Sequence, residues 1–196
     1  MSAAAFAPRP SMPRSWLLAL LLCSLLLACG FTARTHSATR SVTVVQNFDI
    51  SRYAGLWYVL ARIDHPSEQG LVQTGVYYHG SQNGSLTMVE RGLDPSSGQW
   101  IKRESVALPA RSPQEGAMKL SSQGALASEY NVVALDDNYH WAVVQGATAA
   151  RSWVLSRTPT LPTEVRGSLL LQARAVGVNT DQLLWVPQER AAGTLL

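Results

Sequence analysis

Val76-Tyr77-Tyr78-His79-Gly80-Ser81-Gln82-Asn83-Gly84-Ser85-Leu86-Thr87-Met88-Val89 is the stretch that decides the fold. An aromatic, β-branched run meets an alternating apolar/polar run across Asn83-Gly84, and that dipeptide favours a tight type I′ hairpin turn. Working outward, turn sequences recur at short intervals. They are Asp94-Pro95-Ser96-Ser97-Gly98, Pro109 to Gly116, Gly124 to Ser128, Asp136-Asp137-Asn138 and Gly146 to Ala150. Between them lie eight candidate strands near 55–63, 71–79, 85–92, 99–107, 117–122, 129–135, 139–145 and 151–156. Short strands at such spacing predict an all-β sandwich or barrel. Every connection suits a hairpin, so an eight-stranded antiparallel up-and-down barrel is the simplest topology.

After Pro159 the period changes. Val165, Leu169, Leu170, Ala173 and Val176 recur at helical spacing, with Pro162 to open the helix and Gly177 to end it. One C-terminal helix after eight strands packs outside the barrel over an apolar patch. A last short strand, 183–186, follows.

The 196 residues carry 15% charged and 46% hydrophobic residues, too apolar for disorder and too charged for a multi-span membrane protein. The formal charge is +3, and no run of Lys or Arg exceeds two neighbours. A nucleic-acid interface needs a basic stripe, so that partner is excluded. The two cysteines, Cys23 and Cys29, both precede residue 30. No disulfide framework, cysteine-rich zinc site or thiol nucleophile is therefore expected beyond it.

Residues 1–28 read as an address. Arg9 and Arg14 precede an apolar stretch from Leu17 to Leu27, too short to span about 30 Å of hydrocarbon comfortably as a helix. The exit, Leu26-Leu27-Ala28-Cys29, resembles the bacterial lipobox, in which the cysteine becomes the acylated first residue. The competing reading is an ordinary signal peptide cut later, around Ala33. Gly30 stands where an aspartate commonly retains such proteins at the inner membrane, so the lipobox reading favours the outer membrane. Removing residues 1–28 leaves 14 basic and 13 acidic residues, a net +1. Residues 29–46 then form the lipidated cysteine and a flexible tether, and 47–190 the folded domain.

Three stretches give the domain its resemblance. Gly55-Leu56-Trp57-Tyr58, after Phe48-Asp49 and Tyr53, matches the G-x-W signature of the lipocalins. Asn131 to Asp136, continuing through Tyr139, resembles their second motif, with Asp137-Asn138-Tyr139 where many members have Thr-Asp-Tyr. Trp153-Val154-Leu155-Ser156-Arg157-Thr158-Pro159 resembles the third. Order, spacing and the downstream helix agree over roughly residues 47–188. The lipobox narrows the resemblance to the bacterial outer-membrane lipoprotein lipocalins. It implies that Trp57 closes the barrel bottom, that Arg157 stacks on it and bonds to the backbone before the first strand, and that Gly55 permits the tight entry.

Such a barrel can hold one small ligand. Alternation from Trp57 points Val59, Ala61 and Ile63 inward and leaves Arg62 outward. The resemblance suggests Thr74, Val76 and Tyr78 on the second strand and Leu86, Met88 and Glu90 on the third. Counting by twos adds Glu104 and Val106 on the fourth. A one-residue slip inverts any of these strands. The set suits an acyl chain with its head group at the mouth and Trp57 as its floor; the same residues also describe a packed core.

No nucleophile elbow, His-Glu-x-x-His or phosphate-binding glycine loop occurs. His36, His65, His79 and His140 are isolated and lack metal-ligand spacing. The expected function is therefore binding of a hydrophobic small molecule or lipid, with no catalytic residues, metal or cofactor, by a protein anchored through acyl groups on Cys29 at the periplasmic face of the outer membrane. A homodimer is a further partner reading. The alternatives are a lipocalin-fold enzyme and a haem or carotenoid binder, for which only His79 and His140 lie in predicted strands.

Overall fold

A computed structural model describes residues 42–122 and 125–189; the assignments for the leader and Cys29 lie outside them. The strands are β1 (Gly55–Ile63), β2 (Val72–Gly80), β3 (Leu86–Asp94), β4 (Gln99–Pro109), β5 (Ala117–Ser122), β6 (Ala125–Leu135), β7 (Trp141–Gln145), β8 (Ser152–Ser156) and β9 (Leu183–Trp185). The helices are α1 (Ile50–Tyr53) and α2 (Thr163–Ala175). Strands β1 to β8 pair antiparallel with their sequence neighbours, and β1 also pairs with β8, closing the barrel. Strand β9 adds to the far half of β1, from Ala61 to Ile63.

The decisive hairpin forms, but not through a type I′ turn. Gly84 alone in the loop has positive φ, at 79°, its N–H bonds to the Ser81 carbonyl, and Ser81 N–H bonds to the Ser85 carbonyl. This is a three-residue loop, a type I turn closed by a left-handed glycine. The Asn83 side chain accepts from Ser85 N–H at 3.0 Å, so its role is local capping rather than left-handed backbone. Strand β6 also begins earlier than the turn-like Gly124–Ser128 suggests, because Ala125 and Leu126 pair with Ser122 and Ser121. His140 precedes β7, which begins at Trp141.

Strand β1 changes phase midway. Val59 pairs with Leu155 and Ala61 with Val154, leaving Leu60 as an extra residue in a bulge. Before the bulge Trp57 and Val59 face the interior. After it, Leu60, Ala61 and Ile63 join an outer cluster with Tyr58, Val143 and Val154. Helix α2 covers this cluster with Leu169 and Ala173, both fully buried, flanked by Val165, Leu170 and Val176. Burying a leucine is worth about 2 kcal/mol, and the Arg166 guanidinium adds a contact 3.4 Å from the Trp185 ring centroid. Its C-terminus closes as a Schellman motif: Gly177 N–H bonds to Arg174 O and Val178 N–H to Ala173 O, each at 3.0 Å.

The opposite end of β1 closes the barrel floor. Asp49 caps α1 by accepting from Ser51 and Arg52 N–H. Helix α1 carries Tyr53 beneath the interior, and Trp57 Nε1–H donates to Tyr53 O at 2.8 Å. The Arg157 guanidinium lies 3.9 Å from the Trp57 ring centroid and donates to Leu56 O (2.9 Å) and Arg52 O (2.6 Å). Gly55 has φ of 96°, and a Cβ there would meet Arg157 Nη1 at 3.2 Å. A side chain at 55 therefore costs both backbone strain and the arginine's seat.

Trp57→Ala should destabilise by roughly 3–5 kcal/mol. Arg157→Ala should cost less, and the double variant should cost less than the sum, because the two groups touch. Urea unfolding of the four proteins measures the coupling, and a value indistinguishable from zero would contradict the stacked pair.

Candidate ligand-binding cavity

The lower interior is filled by aromatic rings. Phe48, Tyr53, Trp57 and Tyr78 are buried with centroid separations of 4.9–5.1 Å between successive rings around Tyr53. The Tyr130 hydroxyl lies 2.7 Å from that of Tyr53 and 2.6 Å from that of Tyr78. Burial raises all three phenols above their ordinary range, so they stay neutral and share their protons along the chain of oxygens.

Above Tyr130 the barrel is hollow. The space not filled by atoms is about 670 Å³, part of it open to solvent at the mouth. Val59, Val76, Met88, Ile101, Leu120, Val144 and Leu155 give it apolar walls, and Tyr130 is its floor. Trp57, expected as that floor, lies beyond the lining residues in the aromatic layer. Towards the mouth the lining turns polar, with Glu68, Thr74, Glu90, Arg91, Arg103 and Glu129.

The segment between β1 and β2 folds over this end. Glu68 accepts from Trp153 Nε1–H at 2.9 Å and lies 3.6 Å from Arg62 Nε. Arg62, only 4% exposed, donates to Glu68 O (2.7 Å) and Leu71 O (3.0 Å) and approaches Asp64 at 3.7 Å. Arg103 donates to Ser67 O, and Arg151 meets His65 Nε2. Gln188, after β9, donates to Val59 O at 2.8 Å and Thr74 O at 3.0 Å. It staples β1 to β2 above the point where their pairing ends, at Tyr58 and Gly75.

Of the interior residues expected from sequence, Val59, Thr74, Val76, Met88 and Glu90 line the cavity, while Tyr78 and Leu86 pack below it. Ala61 and Ile63 do not face it: the bulge at Leu60 turns them to the outer cluster and turns Arg62 inward beneath the mouth segment. Strand β4 is out of phase by one. Glu104 is 58% exposed and pairs with Lys102 at 2.5 Å, and Val106 lies across from exposed Thr87. Ile101 and Arg103 take the inward positions instead. Tyr130, Trp153, Leu71 and Glu68 were not anticipated; Trp153 stands at the head of the third motif, and the rest carry no sequence pattern that sets them apart. His79 is exposed and stacks on Tyr77 at 4.5 Å, and His140 is 70% exposed beside Asp136. Neither reaches the cavity. Among the described residues no cluster of His, Cys, Asp or Glu could hold a metal ion, and no helix is long and apolar enough to cross a membrane.

The geometry agrees with comparison to known proteins. The family model of the lipocalin-like domain matches residues 48–188. The chain belongs to the lipocalin family. Outer membrane lipoprotein Blc of Escherichia coli (strain K12) is 38% identical over 164 residues, covering 84% of this lipocalin and 90% of that protein. Blc of Vibrio cholerae is 33% identical over 172 residues, covering 87% and 97%. Per a 4, a major allergen from cockroaches, shares the fold with a TM-score of 0.60 at 18% identity, covering 74% of this chain and 91% of its own. This lipocalin is a lipid-anchored lipoprotein of the outer membrane that binds hydrophobic ligands.

Glu90 is the cavity's most perturbed carboxyl. Burial raises it from the usual 4.5 to about 7, Glu68 pushes it further up, and Arg103 pulls it down. The folded protein thus keeps a proton there that the unfolded chain releases. Stability should fall as pH rises from about 4.5 to about 7, since the native state binds more protons in that window. Glu90→Gln should remove this loss, stabilising the ligand-free protein by about 3 kcal/mol at pH 8 and hardly at all at pH 4. Denaturant unfolding at both pH values checks this; equal effects at the two would contradict it.

Proposed function

We propose that this lipocalin holds the acyl chain of a fatty acid, lysophospholipid or similar amphiphile, for storage or transport at the periplasmic face of the outer membrane. The observation that carries the reading is the cavity itself: apolar on its walls, stopped by Tyr130 below and polar at the mouth. Apolar walls attract the chain without directing it, while the polar rim keeps a head group near water. The lining supplies walls for a chain and, among the described residues, includes no histidine or cysteine. The outward His79 and His140 likewise supply no axial ligand for a haem.

Acylation of Cys29 forms part of this proposal. Cys29→Ser should release the protein from the outer-membrane fraction with its barrel intact; sedimentation with that fraction after a salt wash would contradict the anchor.

Ligand binding is tested by displacing a fluorescent fatty acid with a series of chain lengths. Affinity should rise roughly fourfold per added CH₂, from about 0.8 kcal/mol each, and level off once the chain reaches Tyr130. Leu120→Trp, within the wall, should shorten the longest chain accepted. Thr87→Trp, on the outer face of β3, should leave the series unchanged. A flat response across the series would contradict an acyl-binding cavity.

A further inference from the structure

Glu90 stands apart from the other charges around the cavity. It projects inward from the middle of β3, between Val76 of β2 and Arg103 of β4, its cross-strand neighbours. Met88 lies on the Tyr130 side of it, and Gly92 on the mouth side adds no side chain. Its carboxylate has no hydrogen bond or ion pair within 4.0 Å among the described residues.

The cations nearby are already engaged. Arg62 is held by the carbonyls of Glu68 and Leu71 and by the carboxylates of Asp64 and Glu68, and it is not among the lining residues. Arg103 reaches across the mouth to Ser67 O. Arg91 of β3, Glu68 of the mouth segment and Glu129 of β6 complete the charged lining, and the phenols of Tyr78 and Tyr130 lie below. A ligand's head group entering this space therefore meets one carboxyl without a hydrogen-bonded partner, with a second acid, Glu68, and the Arg103 guanidinium both close enough to act on it.

We infer that Glu90 is a specificity-determining residue of the cavity, pairing with an ammonium or other cationic N–H group of the ligand and disfavouring a free carboxylate. The inference rests on the acyl-chain reading above. An ammonium replaces the missing partner and offsets the neighbouring Glu68, forming a charge-assisted hydrogen bond in a partly desolvated site. A carboxylate placed there meets two acids instead, offset only by Arg103, which is already bonded to Ser67 O, and it gains acceptance when Glu90 is protonated. The ionised acid draws the cation, so ammonium binding strengthens as pH rises through about 7 and carboxylate binding weakens.

The test uses the purified, delipidated full chain and three probes with one alkyl chain: an n-alkylamine, the n-alkanol and the n-alkanoate. At pH 8 the amine should bind roughly tenfold or more tightly than the alkanoate, the span of one charge-assisted hydrogen bond. Glu90→Gln should abolish most of that preference, and Thr87→Trp, on the outer face of β3, should leave it unchanged. The wild-type protein at pH 5 should behave like the variant. An alkanoate that binds as well as the amine at pH 8, or a preference that survives Glu90→Gln, would overturn the inference. Failure of the alkanol to bind at all would instead overturn the acyl-chain reading beneath it.

Discussion

Strand β1 bears the constraint on which the rest of the molecule depends. It hydrogen-bonds to β2 and β8 to close the barrel, then to β9 where β2 has parted from it. A strand with a strict two-residue period can face only one core on each side. The bulge at Leu60 lifts that restriction. It lets the same strand put Trp57 and Val59 inside, then commit Leu60, Ala61 and Ile63 to the cluster beneath α2. The inward position this frees goes to Arg62, whose burial is tolerable because two backbone carbonyls and two carboxylates surround it.

From that arrangement come two ends of different character. The floor is an aromatic layer sealed by the Arg157 guanidinium on Trp57 and by the hydroxyls of Tyr53, Tyr78 and Tyr130. Every polar atom named there has a partner within the protein. The mouth is a charged ring folded over by residues 64–71. Between them lies a hollow that no side chain fills. Function sits in this contrast: a sealed end sets how far a chain can enter, and a charged end sets which head group can stay.

The sequence made the architecture legible because its evidence was local and repeated. Turn residues, the G-x-W stretch and Arg157 each have a physical job that no neighbour can take over, and the structure gives Arg157 the stacked position on Trp57 that the resemblance implied. Helix α2 was legible from its period and its glycine stop. Interior assignments on β2 and β3 came from the resemblance, and the hairpin around Asn83-Gly84 ties the two strands to one register. Those on β1 and β4 had no such pin. Leu56 to Ala61 is apolar at every position, so polarity could not show where the alternation of β1 breaks. On β4, Lys102-Arg103-Glu104 is charged on both faces, because the mouth end of the barrel is polar inside as well as out. Polarity therefore could not say which residue pointed in.

The central claim is that the hollow above Tyr130 takes an alkyl chain tail first. The most direct measurement is a crystal structure of the protein with a chain brominated at its terminal carbon, read by anomalous scattering. The account predicts one bromine peak beside Met88 and Tyr130, with the head group at Glu90 and Glu68. A bromine peak at the mouth, or in the groove between α2 and β7 lined by Trp141, Leu161 and Val165, would contradict it.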